Sequence, residues 1–184
     1  ANIVQAYDVG QAGDVHYIAM EYVDGKTVKE LIERRGQLDE QAAIEIVLKV
    51  LDALKHAHSR SLIHRDVKPA NILAVLRNEL ITDIKITDFG SVFDQRSDRT
   101  QVFRVGSLAY MPPEQLDGST LDTRADMYAL AAVLYHLVSG RPPFDAPNQV
   151  ALMHQIYHAQ PAPLTGLRKG VPARMDALLR QALA

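Results

Sequence analysis

Apolar residues return at three- and four-residue steps through LDEQAAIEIVLKVLDALKHAHSR, where Ile44, Val47, Leu48, Leu51 and Leu54 predict a helix. Asp39 and Glu40 suit its positive N-terminal end. A shorter helix is predicted by Val28, Leu31 and Ile32, with Gly36 as its stop. DTRADMYALAAVLYHLVSG is apolar nearly all round, which predicts a fully buried helix ended by Gly140 with Pro142 and Pro143 behind it. QVALMHQIYHA and PARMDALLRQALA predict two more helices, the second with Pro172 near its start. The β signal is short: two strands about a turn at residues 10–14, and a hairpin of ILAVL and DIKITD about residues 77–79. SVFDQRSDRTQVFRVGS is polar and aperiodic, a long loop. The order is a little β, then mostly α, without repeats or low-complexity tracts.

Composition narrows the class. The 184 residues are 47% hydrophobic, which suits one domain or one lobe of a larger one. A chain of this size buries roughly 70% of its unfolded surface, so a core is expected. The net charge of -2 gives no reason to expect nucleic acid or an acidic membrane as partner. Without cysteine there is no disulfide framework, which fits a cytoplasmic setting. No apolar run approaches the roughly 18 residues of a membrane span. Both ends, Ala1 and the helix running out at Ala184, read as cuts within a longer chain.

The polar chemistry concentrates in LIHRDVKPANIL, residues 62–73. His64, Arg65, Asp66 and Lys68 stand between Leu62-Ile63 and Ile72-Leu73. A buried strand does not tolerate so many unpaired charges, and a surface loop does not need such flanks. The pattern predicts a loop pinned at both ends that presents its polar groups at a fixed place. Asp88-Phe89-Gly90 and Pro113-Glu114 follow. Phosphoryl transfer from a nucleotide needs a carboxylate to orient the attacking hydroxyl, cations to neutralise charge, and oxygen ligands to hold those cations. Asp66 suits the first role and Lys68 the second. Asn71 and Asp88 are hard oxygen ligands suited to Mg²⁺.

These motifs resemble the hinge and C-terminal lobe of a eukaryotic-type (Hanks-type) serine/threonine protein kinase of the bacterial kind. HRDVKPAN resembles the catalytic loop, DFG the metal-binding turn, and PPE the end of the activation segment, with Pro112 where Ala is usual. GSLAYMPPEQ resembles the substrate-docking stretch, DMYAL the central helix and SGRPPF the loop after it. The resemblance implies an α+β fold: a mostly helical lobe over residues 24–184, and the last strands of the small lobe with the hinge over residues 1–23. It implies ATP and Mg²⁺ as cofactors and serine or threonine hydroxyls of proteins as substrates, Lys68 two residues after Asp66 favouring Ser/Thr over Tyr. In YIAMEYV, Met20 would be the gatekeeper and Glu21, Tyr22 and Val23 would offer backbone groups to adenine, with Leu73 as the floor under the ring. His64, Phe89 and Asp126 would be structural, and Glu114 would pair with Arg141. Ser107 would bond near Asp66 and Lys68 and help dock substrate. Arg65 would pair with a phosphate on the loop, at Thr100 first or Ser97 second, while Arg96, Arg99 and Arg104 keep the unmodified loop loose.

The sequence departs from the family pattern in two ways. The gap from Asn71 to Asp88 is a few residues longer than usual, which points to an insertion in the hairpin at residues 76–80. No GxGxxG and no VAIK occurs, so the phosphate lid and strand lysine are expected upstream in a parent chain. This segment alone is then expected to be inactive, and to expose apolar surface where the rest of the small lobe packs. Rival readings are a pseudokinase that binds nucleotide without catalysis, and a small-molecule kinase of the aminoglycoside type. His154 to His158 imitates a two-histidine zinc helix but lacks the intervening Glu and a third ligand, so it reads as a solvated face; His56 and His58 have similarly weak metal claims.

Overall fold

A computed structural model describes residues 2–89 and 105–184. Strands β1 (Ala6–Ala12) and β2 (Val15–Met20) form an antiparallel hairpin. Its side chains are exposed on both faces, Tyr7, Val9, Val15 and Ile18 among them. A second sheet holds β3 (Lys26–Thr27), β4 (Ile72–Arg77) and β5 (Leu80–Ile86) in the order β3-β4-β5, all antiparallel. The β4–β5 turn puts Asn78 and Glu79 at φ 50° and 65°, the twist that closes a tight hairpin. Its register slips between Val75 and Leu76, which absorbs an extra residue. Residues 2–4 run along the free edge of β5 through an Ile3–Ile86 bridge.

The helices are α1 (Val28–Arg35), α2 (Glu40–His58), α3 (Val105–Leu108), α4 (Pro113–Leu116), α5 (Thr123–Ser139), α6 (Gln149–His158), α7 (Leu164–Leu167) and α8 (Ala173–Ala182). Thr27 caps α1 and closes a reciprocal box with Glu30, whose carboxylate accepts the Thr27 N–H at 2.7 Å. Asp39 caps α2 through the Ala42 N–H. Helix α5 forms the centre, with α2 and α8 against it, and buries Leu130, Val133, Leu137 and Val138 among others. Among the described residues no helix is long and apolar enough to cross a membrane.

Two expectations change here. Helix α2 is rotated from the predicted stripe: Ile44 is 37% and Leu48 55% exposed, while Ala43, Ile46, Val50, Ala53 and Ala57 face inward. Alanines let α2 approach α5 closely, and a search weighted to large apolar residues passes over them. The loop predicted to run through Ser107 gives way to one helical turn at Val105–Leu108. Ser97, Thr100, Arg96, Arg99 and Arg104 lie outside the described residues.

Two polar details brace the far end of α5. Gly140 caps it at φ 77°, donating its N–H to the His136 carbonyl at 2.8 Å. A Cβ at Gly140 would stand 2.7 Å from the Gly36 carbonyl oxygen. His136 accepts from the Tyr110 hydroxyl at 2.6 Å through Nδ1, and burial lowers its pKa. Gly140→Ala is therefore expected to cost roughly 1–3 kcal/mol, combining left-handed strain with the contact against Gly36. Gly118→Ala, at φ 68° with open space around it, should show only the strain, about 1 kcal/mol. Urea unfolding of both variants checks the difference. The depressed His136 pKa means that the unfolded chain takes up the proton first. The stability contributed by neutral His136 is therefore fully present above its ordinary value of 6.5 and is lost as pH falls below it. Thermal unfolding between pH 7.5 and 5.5 should show a smaller loss in His136→Gln than in the parent protein.

Candidate active site

The segment between α2 and β4 is pinned from beneath. Val67 and Ile72 are buried on either side of Lys68 to Asn71, and a single 3-10 turn at Pro69–Asn71 leads into β4. Under the loop lies Asp126, in the first turn of α5 and wholly buried. Its carboxylate accepts the backbone N–H groups of His64 (2.9 Å) and Arg65 (2.8 Å), and meets His58 Nε2 at 2.7 Å. Three partners let a carboxylate remain in the core, where an unpaired one is prohibitively costly. Both backbone donors come from the loop, so its path is fixed to the helix.

His64 carries the constraint onward. Its Nδ1 accepts the Asp66 N–H at 3.2 Å, which leaves Nε2 to donate to the Thr87 carbonyl at 2.9 Å. Burial pushes its pKa down, in keeping with the neutral ring those bonds require. The ring also packs on Phe89, centroids 4.5 Å apart. His64 thus ties the 62–68 loop to the segment that bears Asp88. Thr87 donates its N–H to the Asn71 carbonyl at 3.0 Å, a second tie between the same two segments.

On this frame Asp66 is held asymmetrically. Its Oδ2 receives Lys68 Nζ at 2.6 Å and Asn71 Nδ2 at 2.9 Å; Asn71 Nδ2 also reaches the Asp66 carbonyl at 2.9 Å. Oδ1 keeps no partner among the described residues. Lys68 Nζ extends to Ser107 Oγ at 3.3 Å, which brings α3 to the loop. The Asn71 amide nitrogen is fully engaged, so its oxygen is the atom left to bind a cation. Asp88 is exposed at φ 63°, next to the Thr87–Asn71 tie. Two neighbouring oxygen donors, one of them charged, fit Mg²⁺, which takes few protein ligands and fills the rest of its shell with water and phosphate. Among the described residues there is no group of three His, Asp or Glu side chains that could hold a metal without such help.

The residues expected to face a nucleotide lie at the end of β2, in the segment after it, and on β4. Met20 ends β2, half exposed, and the Tyr22 side chain points into solvent. The Glu21 N–H is spent on the Gln5 carbonyl at 2.8 Å, so Glu21 offers only its carbonyl, while Val23 has no partner for its N–H among the described residues. The Glu21 carboxylate is held below its ordinary pKa, first by a hydrogen bond from Lys85. Lys85 pairs across the sheet with half-buried Leu73, which links the 20–23 segment to β4.

One expected pair does not form, two residues had gone unnoticed, and a third had been passed over. Glu114 and Arg141 form no ion pair: Glu114 lies beside Arg124 and Tyr128 at the start of α5, Arg141 beyond its end next to Tyr135. At 1.5 Å per residue the seven residues from Tyr128 to Tyr135 set these two neighbourhoods about 10 Å apart along α5, too far for an ion pair. Arg65, at φ 67°, has its carbonyl held by Gln115 Nε2 at 2.9 Å, while its buried Nε has no partner among the described residues. The sequence reading missed Gln115 and Thr87, and it passed over His58 as a weak metal ligand. Only the position of His58 in the last turn of α2 set it apart, and that position suits any cation.

Comparison with known proteins agrees with this geometry. The family model for the protein kinase domain matches residues 1–179. The chain is 37% identical over 190 residues to serine/threonine-protein kinase PknB of Mycobacterium leprae, covering 100% of this chain and 30% of that protein. The identity to PknB of Mycobacterium tuberculosis H37Rv is also 37%, covering 99% and 30%. A probable serine/threonine-protein kinase of Clostridium perfringens is 39% identical over 186 residues, covering 99% and 26%. The chain therefore spans less than a third of the length of these relatives. A full-chain match and the ordered loop, turn and helix around Asp66 together make the chain a member of the protein kinase family, of the bacterial Hanks type.

Proposed function

We propose that this chain carries the phosphoryl-transfer site of a protein kinase acting on serine and threonine hydroxyls, with ATP and Mg²⁺ as cofactors. The observation that carries the reading is the asymmetry at Asp66: Oδ2 is held by Lys68 and Asn71, while Oδ1, without a partner among the described residues, is placed to accept an incoming hydroxyl. In this role Asp66 orients the hydroxyl and takes up its proton. Lys68, bridging Asp66 and Ser107, places a positive charge where the transferring group gains negative charge. Asn71 and Asp88 would hold the metal, which neutralises phosphate charge when bound. Residues 20–23 and Leu73 would seat the base, and Ser107 the acceptor segment. The separate exposed hairpin supports a division into small-lobe strands and hinge over residues 1–23 and a large lobe over 24–184. The Arg65 Nε, without a partner among the described residues, supports a further role in receiving a phosphate at Thr100 or Ser97. PknB and the clostridial relative are named serine/threonine-protein kinases, which favours this substrate class.

In the full-length protein, Asp66→Asn should lower turnover by about a thousandfold or more and leave nucleotide affinity nearly unchanged, since proton acceptance and orientation act only on the reacting hydroxyl. Phosphorylation at the parent rate by that variant would overturn the assignment. Asp88→Asn should act on the other substrate: the Mg²⁺ concentration for half-maximal nucleotide binding should rise by tenfold or more, because a charged ligand is lost. Isothermal titration at several Mg²⁺ levels measures it, and an unchanged Mg²⁺ dependence would remove Asp88 from the metal site.

A further inference from the structure

The backbone polar groups of Arg65 and Asp66 are all engaged. The Arg65 N–H donates to Asp126 Oδ1 at 2.8 Å, and the Asp66 N–H to His64 Nδ1 at 3.2 Å. The Asp66 carbonyl accepts from Asn71 Nδ2 at 2.9 Å, and the Arg65 carbonyl from Gln115 Nε2 at 2.9 Å. A carbonyl only accepts, so the Gln115 amide must meet it nitrogen first. Three of these partners belong to the loop itself or to α5 beneath it. The fourth, Gln115, comes from the short helix α4. The chain that leads into α4 starts at Ser107, which Lys68 Nζ reaches at 3.3 Å, and Leu108 to Met111 are buried on the way. On its far side α4 is held by α6, where the Tyr157 hydroxyl donates to Asp117 Oδ1. Residues 107–115 therefore grip the loop on both sides of Asp66: at Lys68 after it, and at the Arg65 carbonyl before it.

We infer that Gln115 is a positioning residue for Asp66: it sets the plane of the Arg65–Asp66 peptide, and so passes the placement of the 107–115 segment to the carboxylate that receives the hydroxyl. The inference rests on the kinase reading above and deepens it. Arg65 stands at φ 67°, a conformation that a residue other than glycine keeps only when its surroundings over-determine it. The peptide that follows has two handles. Its oxygen is held by Gln115 and its nitrogen by His64, the second at 3.2 Å the longest of the four bonds. Without the Gln115 donor that peptide can turn about the bonds on either side, and the Asp66 side chain turns with it. A displacement of about 1 Å at a reacting group can cost on the order of a hundredfold in rate.

The test replaces Gln115 in the full-length protein. Gln115→Leu keeps the bulk and removes the donor. Gln115→Glu keeps the shape, sets a carboxylate against the carbonyl, and stands in if Gln115→Leu does not fold. Both should lower kcat by about tenfold or more while the KM for ATP stays within about twofold. Gln115→Lys, which restores a donor, should recover most of the loss. In the Asp66→Asn background Gln115→Leu should cost nothing further, because both act through one carboxylate. A role confined to folding or to peptide docking gives another pattern: a raised peptide KM with kcat kept, and losses that add to that of Asp66→Asn. Parent kcat in Gln115→Leu and Gln115→Glu, or full additivity with Asp66→Asn, would overturn the inference. Failure of the kinase reading shows differently, as parent-rate phosphorylation by Asp66→Asn or no phosphorylation by the parent protein. Hydrogen exchange of the 62–68 amides then still decides: Gln115→Leu should speed it by about tenfold, and exchange as slow as in the parent protein would overturn the link from α4 to the loop.

Discussion

A single carboxylate sets the terms for the site. Asp126 has no contact with solvent, and its charge is tolerable only because three donors converge on it. Two of those donors are consecutive backbone N–H groups at His64 and Arg65, so satisfying Asp126 fixes the backbone of the loop. The helix beneath cannot shift in response, because α5 is packed on nearly every side by apolar residues. Rigidity therefore passes from the hydrophobic centre to the polar surface through one buried ion. From His64 it continues to Thr87 and Phe89, and so to the segment bearing Asp88.

The second sheet performs the fine positioning. Residues 72–73 and 85–86 are partners on β4 and β5, and Asn71 meets Thr87 just beyond the strand ends. Asn71 therefore reports to both sides: its side-chain nitrogen holds Asp66, and its backbone carbonyl accepts from Thr87, the residue before Asp88. A side chain so committed cannot rotate without losing two hydrogen bonds. That is the sense in which the oxygen donors are arranged before any ligand arrives.

Much of this was readable in advance, for reasons that can be named. Helices α1, α2, α5, α6 and α8 follow the apolar period, and Gly36 and Gly140 mark helix ends as glycine should. The motif residues around Asp66 are adjacent in sequence, so their clustering needs no knowledge of tertiary contacts. What escaped depends on long-range packing. Strand β3 has two residues, too few for a period to show, and exists because β4 lies beside it. The inward face of α2 is largely alanine and valine, whose small size only has meaning against α5. His58 looked like any histidine at a helix end until Asp126, 68 residues away, was brought to it. Glu114 and Arg141 failed as a pair because distance along a rigid helix is invisible to motif matching.

Two residues of the site sit in the left-handed region without being glycine: Arg65 at φ 67° and Asp88 at φ 63°. Such a backbone costs each about 1 kcal/mol relative to glycine, which enters it freely. A library of variants selected for thermal robustness alone would therefore drift toward glycine at both positions, and would discard a guanidinium and a carboxylate in doing so. Selection for turnover would pull the other way. On the proposed reading the site and the fold have opposing optima at these two points, and the residues found there favour the site.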